Sequence, residues 1–241
     1  MTRSYSPIWW PSLPDHEASD GAEKMDGIAM QILHINCSPR GEVSESHRMA
    51  RKIVELLLVK EPTAVLTNRI LGGGTIGHID ASYATALGAT QPSFAETFPR
   101  GTMSRSEELI QELESSDYVV IGTPMHNFAV PSALKAWIDH VVRVRRTFNA
   151  TKSGYVGTLR DRPVFVVVSS GGRYTGERAR QPDFLTPYLK AVFDVIGLRS
   201  LTFFSVEGSS LGLDALAKAR READLAVQEY FSSCCDVPQP Q

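Results

Sequence analysis

Short apolar runs alternate with amphipathic segments along the chain from residue 29 onward. Five of the runs, at residues 29–35, 64–71, 118–122, 163–169 and 201–206, are strand-sized and nearly continuously hydrophobic. Strands of that kind are buried on both faces, as in a parallel sheet that helices cover on each side. The pattern therefore predicts five parallel strands.

The amphipathic segments between the runs predict helices. Their ranges are 46–60, 104–116, 131–144, 182–196 and 213–231, with a shorter helix at 81–87. Five strands with intervening helices predict an α/β fold, a doubly wound sheet in the order 2-1-3-4-5. Apart from the short helix at 81–87, residues 72–103 and 147–162 break the alternation and are predicted to be irregular loops that rim the binding pocket or contact a second subunit.

Composition narrows the class of protein. The chain has 241 residues, 42% of them hydrophobic, which is enough for one sizeable α/β domain. Its 25 basic and 27 acidic residues form no block of one sign, which disfavours nucleic-acid binding and a polybasic membrane anchor. No apolar run approaches the roughly 18 residues of a membrane span. Three cysteines and six scattered histidines predict neither a disulfide framework nor a metal site, and they favour a soluble, cytoplasmic protein.

One domain with two tails is the predicted organisation. Residues 1–29 carry several prolines, serines and acidic residues, which is typical of a disordered N-terminal extension. Within it, Trp9 and Trp10 suggest docking onto the body or a partner. Residues 30–232 are predicted to form the folded domain, and residues 233–241 a C-terminal tail.

Three polar loops directly follow predicted strands. They span residues 37–46, 123–128 and 169–172, and they are rich in serine, glycine, proline and asparagine. Because open parallel sheets bind ligands beyond the carboxyl ends of their strands, the three loops are expected to face one crevice. The sequence predicts one small, polar, phosphorylated ligand there.

The first loop suits a phosphate. Ser44 and Ser46 lie where the following helix opens, so their hydroxyls and the first-turn N–H groups converge where the helix dipole favours an anion. An alternative is that Ser44 only caps the helix. Cys37 lies in the same loop, but no neighbouring base is evident, and a buried, inert thiol is predicted.

The other two loops suit a planar heterocycle. Asn127 offers an amide that both donates and accepts, and Phe128 offers an apolar surface. His126 is either a proton donor to a reduced product or a polar rim residue. Gly171 and Gly172 let the backbone approach a ligand, so that N–H groups stabilise negative charge, although a tight turn alone is an alternative.

Two further patterns are interpreted as non-functional. Residues 72–77 match GxGxxG, but they follow the second strand and lead into no long helix, so a flexible loop is predicted. Arg143, Arg145 and Arg146 are interpreted as a solvated helix end rather than a nucleic-acid contact.

The combination of motifs over residues 30–231 resembles the flavodoxin-like, FMN-dependent NADH azoreductases and quinone reductases. The motifs that carry the resemblance are Ser38, Ser44, Glu45 and Ser46, residues 122–128 and 131–139, Thr147 and Phe148, and residues 169–172, 185–189, 196–197 and 207–208. Two residues depart from the family pattern, His126 where many members have tyrosine and Ser170 where some have arginine.

The resemblance implies a homodimer with non-covalently bound FMN at each of two interfacial sites. It implies two-electron ping-pong transfer from NADH or NADPH to quinones or azo compounds, without a protein nucleophile. The candidate catalytic residues are His126 and Asn127. The phosphate end of FMN would be held by Ser38, Ser44, Glu45 and Ser46, and the ring by Met125, His126, Asn127, Phe128, Ser169, Ser170, Gly171 and Gly172.

Two other classes of function compete with this interpretation. A flavodoxin-like single-electron carrier would bind the same cofactor, but carriers usually need an acidic docking face, which a net charge of −2 does not indicate. A flavin-free phosphate-ligand-binding protein would use the first loop alone. A yellow protein that oxidises NADH rapidly in the presence of a quinone would be the reductase.

Overall fold

The computed structural model describes residues 29–88 and 101–233. The predicted disordered extension and the predicted C-terminal tail lie outside the described residues, apart from Ala29 and Ser233.

A five-stranded parallel sheet forms the centre of the protein. The strands of the described residues are β1 (Gln31–Asn36), β2 (Val65–Ile70), β3 (Tyr118–Pro124), β4 (Phe148–Thr151), β5 (Gly154–Gly157), β6 (Val164–Ser170) and β7 (Leu201–Glu207). The sheet order is β2-β1-β3-β6-β7, which is the predicted order counted over the five sheet strands. In β1, Ile35 pairs with Arg69 of β2 on one side and with Ile121 of β3 on the other.

Helices cover both faces of the sheet. They are α1 (Glu45–Lys60), α2 (Ala81–Gly88), α3 (Thr102–Ser115), α4 (Ser132–Val141), α5 (Leu185–Ile196) and α6 (Leu213–Ser233), with a single 3-10 turn at Gly41–Val43. Successive strand residues point to opposite faces. In β1, Leu33 packs into the core that includes α3, α4 and α5, while Ile32 packs into the core beneath α1 and α6. This two-sided burial explains the near-continuous hydrophobicity of the strands.

A short hairpin occupies part of the region predicted to be irregular. β4 and β5 pair antiparallel, and Thr151 lies opposite Gly154 at the turn. The hairpin lies against the end of α5, because a Cβ on Gly157 would be 2.2 Å from the backbone N of Gly197. The prediction of an irregular loop was wrong here, since four-residue, largely exposed strands leave little hydrophobic pattern.

Two helix boundaries differ from the prediction by three residues, and the other differences are smaller. α5 begins at Leu185 rather than 182, because the Asp183 carboxylate accepts the N–H groups of Leu185 and Thr186, each at 2.9 Å. α4 ends at Val141 rather than 144, and the Thr147 hydroxyl accepts the Arg143 N–H at 2.9 Å. Side-chain acceptors at helix ends move a boundary without changing the apolar pattern.

The arginine cluster after α4 is paired rather than solvated. Arg143 is 8% exposed, and its guanidinium donates to the Ser106 hydroxyl at 3.0 Å and to Glu107. Arg146 donates to Glu107 at 2.9 Å and also to Glu114. The interpretation as a solvated helix end was wrong for these two arginines, which attach the end of α4 to α3.

None of the helices in residues 29–88 and 101–233 has the length and apolarity needed to cross a membrane.

Candidate functional site

The three predicted loops lie together at the carboxyl edge of the sheet. The Cys37 N–H, just after β1, donates to the Gly122 carbonyl of β3 at 2.9 Å. The Met125 N–H, just after β3, donates to the Ser169 carbonyl of β6 at 2.8 Å. The backbone thus joins the first loop to the second and the second to the third, as the sheet order predicts.

The first loop is built from local hydrogen bonds. The Ser38 N–H donates to the Asn36 side chain at 3.1 Å, and the Ser38 hydroxyl accepts the Arg40 N–H at 3.2 Å. The Ser44 hydroxyl accepts the His47 N–H at 3.2 Å, so Ser44 is the N-cap of α1. Capping by Ser44 is therefore confirmed, and its hydroxyl retains acceptor and donor capacity for a ligand.

Ser46 is different from the other serines of this loop. It is fully buried, yet its hydroxyl has no hydrogen-bond partner within the described residues. The neighbouring strand approaches so closely that a Cβ on Gly122 would be 2.9 Å from the Ser46 carbonyl oxygen. An orphaned hydroxyl in the first turn of a helix, beside N–H groups without intrahelical acceptors, fits the phosphate of FMN.

Glu45 does not direct its carboxylate into the loop. The carboxylate accepts two hydrogen bonds from Arg220 of α6, one of them at 2.8 Å, and is 13% exposed. The hydrogen bonds from Arg220 are the main reason that the pKa of Glu45 lies below its usual range. Glu45 was predicted to hold the phosphate. Because its carboxylate faces Arg220, its backbone N–H is the group that could do so.

The second loop contains a tight turn in a strained conformation. His126 and Ala129 exchange two backbone hydrogen bonds of 3.0 Å, and between them Asn127 and Phe128 have φ of 49° and 67°. The left-handed region is costly for residues other than glycine, above all for a bulky one, and such strain clusters at functional sites. Phe128 is nevertheless 44% exposed, so its ring is available for stacking.

The side chain of Gln181 packs against the third loop, which the sequence did not predict. The Ser170 hydroxyl accepts from the Gln181 amide at 2.9 Å, and the same amide lies 3.1 Å from the Met125 sulfur. A Cβ on Gly172 would be 2.2 Å from the Gln181 side-chain oxygen, so the glycine admits this side chain. Gln181 was missed because it lies in a polar segment without any motif.

The backbone N–H groups of the third loop remain available. The carbonyls of Ser170, Gly171 and Gly172 accept from residues 208–210, at 3.0 to 3.2 Å. The N–H groups of Gly171 and Gly172 donate to no acceptor in the part of the chain that the structure describes. They can therefore donate to a ligand, as predicted for groups that stabilise negative charge.

A cavity of about 270 Å³ lies between the first and second loops. Its lining is Cys37, Pro39, Gly72, Gly73, Gly74, Ile76, His78, His126, Pro131, Ser132, Ala133 and Ala136. Gly72 approaches the first loop so closely that a Cβ there would be 2.0 Å from the Ser38 carbonyl oxygen. Gly72, Gly73 and Gly74 thus line the cavity, although the segment precedes no helix until Ala81 and is not a dinucleotide fingerprint.

A larger groove of about 630 Å³ lies elsewhere, between β7 and α6. None of the predicted site residues lines it. The smaller cavity is the better candidate site, because the predicted site residue His126 lines it together with Cys37 and Pro39 of the first loop.

Cys37 is a buried thiol. It has no exposed surface, and burial raises its pKa. Since the thiolate is the nucleophile, this finding confirms the predicted inert thiol.

A family model described as a flavodoxin-like fold matches residues 30–231. The chain belongs to this flavodoxin-like family. One relative, FMN-dependent NADH:quinone oxidoreductase 4 of Pseudomonas fluorescens, is 46% identical over 203 residues, covering 83% of this chain and 96% of the relative. FMN-dependent NADH:quinone oxidoreductase 5 of Burkholderia lata is 49% identical over 177 residues, covering 73% and 84%.

A solved structure that is similar to this chain contains bound FMN. The crystal structure of an FMN-dependent NADH-azoreductase from Bacillus anthracis in complex with FMN is 25% identical to this chain, with a TM-score of 0.68. It covers 83% of this chain and 99% of the azoreductase. The predicted resemblance to FMN-dependent azoreductases and quinone reductases is confirmed.

Proposed function

We propose that the protein is an FMN-dependent oxidoreductase that uses NADH or NADPH to reduce quinones and azo compounds. Relatives that are 46% and 49% identical are named FMN-dependent NADH:quinone oxidoreductases, and a structural neighbour is an azoreductase with FMN. The observation on this chain that carries the proposal is the orphaned, buried Ser46 hydroxyl at the start of α1.

The residues of the first loop would hold the phosphate. Ser46 gains a partner for its buried hydroxyl, which removes a desolvation penalty of about 1–3 kcal/mol. Ser38 and Ser44 add hydroxyls beside it, and the N–H of Glu45 adds a donor at the positive end of α1. When bound, FMN supplies two-electron hydride chemistry between the nicotinamide and the acceptor, in ping-pong order.

The residues of the second and third loops would hold the ring. The tight turn leaves the Asn127 amide and the Phe128 ring exposed beyond the end of β3, where the first would bind the polar edge of the ring system and the second its face. The free N–H groups of Gly171 and Gly172 would stabilise negative charge. Met125, Ser169 and Ser170 would support the ring from the sheet edge.

His126 would be the proton donor to the acceptor. It is exposed and lines the cavity between the first two loops, beside Gly72 and Pro131. An imidazole is a general acid, so it suits the protonation of a reduced quinone or azo nitrogen.

The working form would be a cytoplasmic homodimer in which each partner closes the other's site. Exposed apolar side chains around the loops support such an interface: Val43 is 72% exposed, Phe184 61% and Phe128 44%. Phe184 lies directly beside the second loop, since its N–H donates to the Phe128 carbonyl at 3.0 Å. Light scattering on the purified chain should give the mass of a dimer.

The proposal is tested by reconstitution with FMN followed by anaerobic reduction with NADH and, separately, NADPH. We expect a yellow protein that one nicotinamide bleaches and a quinone or azo compound restores. A protein that binds FMN but is reduced only by another electron-transfer protein would be a single-electron carrier. A protein that takes up no FMN would contradict the proposal.

A further inference from the structure

The charged side chains between the start of α1 and the middle of α6 are arranged around Glu45. Arg220 of α6 donates to both Glu45 carboxylate oxygens, from Nε at 2.8 Å and from Nη2. Arg48 adds a third contact, with its Nε 3.4 Å from Glu45 Oε2. A carboxylate held by the fork of one arginine has a defined orientation.

The place of Glu45 in the chain would otherwise oppose phosphate binding. Glu45 is the first residue of α1, between the cap Ser44 and the orphaned hydroxyl of Ser46. A carboxylate in the first turn is favourable to the helix dipole when no ligand is present. It repels a phosphate dianion that binds to the same turn.

We propose that Arg220 is a positioning residue for the phosphate of FMN. It turns the Glu45 carboxylate toward α6 and neutralises it, so that the first turn of α1 presents N–H groups and hydroxyls without a free negative charge. The inference rests on the proposed function, because it concerns FMN. Arg220 contacts Glu45 and acts through it, so its removal should change phosphate recognition in particular.

Arg48 contacts Glu45 more weakly than Arg220 does. Arg48 is shared with Asp224 of α6, at 3.2 Å, and Lys52 also contacts Asp224 at 3.2 Å. With Arg220 present, three cations face two carboxylates. Without Arg220, two cations only balance the two carboxylates, and Glu45 keeps a single contact with Arg48, at 3.4 Å.

The decisive measurement is the dissociation constant of the apoprotein for FMN and for riboflavin, which lacks the phosphate. We expect Arg220→Gln to weaken FMN roughly tenfold and to leave riboflavin unchanged. Added salt should shrink the difference, because it screens the freed carboxylate. The matched control is Arg221→Gln, which removes the same charge from the next position of α6 and should leave both constants unchanged.

A double variant separates charge from mere structural support. Glu45→Gln combined with Arg220→Gln removes both charges, so FMN affinity should return to within about twofold of the unmodified protein. Three results would overturn the inference. They are an FMN affinity of Arg220→Gln equal to that of the unmodified protein, a loss of riboflavin affinity as large as the loss of FMN affinity, and no recovery of FMN affinity in the double variant. If the unmodified protein binds neither flavin, the proposed function itself is wrong and the inference with it.

Discussion

The two loops proposed to hold opposite ends of FMN are built in contrasting ways. In the first loop, Ser38, Ser44 and Ser46 are at most 4% exposed, and the two outer serines are hydrogen-bonded to the loop backbone. In the second loop, Asn127 and Phe128 are exposed and have positive φ. The loop proposed for the phosphate is buried by packing, whereas the loop proposed for the ring is exposed to solvent and has a strained backbone.

The contrast shows how one site can combine affinity with exchange of substrates. The buried, preformed first loop would retain the phosphate of the cofactor, because little ordering is needed on binding. The exposed second loop would leave a face of the cofactor accessible to nicotinamide and acceptor. Stacking of the exposed Phe128 ring on the cofactor would offset the strain of its backbone.

The largest expected effect comes from breaking the enclosure of the first loop. Gly72→Ala places a Cβ 2.0 Å from the Ser38 carbonyl oxygen, a backbone atom that cannot rotate away. Urea unfolding should show a loss of about 3 kcal/mol, the upper range for overpacking. The control is Gly77→Ala, where nothing lies within 4 Å of the new Cβ. Equal stability of the two variants would contradict the close approach.

Next in size is the effect of the orphaned hydroxyl. Ser46→Ala should weaken FMN binding roughly 10- to 100-fold, since a charge-assisted hydrogen bond is lost, and should leave riboflavin unaffected. The apoprotein should be no less stable, because no protein partner is lost. Ser44→Ala is the contrasting variant, as it removes a helix cap and should destabilise the apoprotein by about 1 kcal/mol. Titration and urea unfolding measure the two effects.

Relief of strain tests the second loop. Phe128→Gly should stabilise the apoprotein by about 1 kcal/mol, because glycine adopts positive φ freely. Phe128→Ala also removes the ring but keeps a Cβ, so it should bring no such gain. Both variants should raise the KM for quinones, since both lose the stacking surface. A thermal scan that finds Ala and Gly equally stable would argue against strain at this position.

The smallest effect concerns pH and the buried layer behind the first loop. The rings of His34 and His47 stack at 5.4 Å, and burial is the main reason that both have a lowered pKa. The unfolded chain therefore binds protons more readily, and stability should decline as pH falls below the ordinary value of 6.5. Urea unfolding at about pH 7.5 and about pH 5.5 measures the loss. His47→Gln should reduce it, and an unchanged pH dependence would contradict the assignment.

The candidate site could be predicted from sequence where its signals are local. Ser44 and Ser46 were proposed as site residues because a helix start has a recognisable pattern of polar and apolar residues. Gln181 was not identified, because it lies in a polar segment without a motif and contacts Ser170 only in the folded chain. Gly72 was interpreted as part of a flexible loop, because its close approach to Ser38 is set by tertiary packing. The left-handed turn was missed because neither Asn127 nor Phe128 is a glycine.

The sequence alone determined the five strands, their order and the three loops at one edge of the sheet, because hydrophobic periodicity and short connections leave few alternatives. Only the tertiary structure decided that Ser46 has an orphaned hydroxyl and that Glu45 faces Arg220. Hydrogen bonds and charge pairs join residues up to 176 positions apart, and packing rather than periodicity brings those residues together.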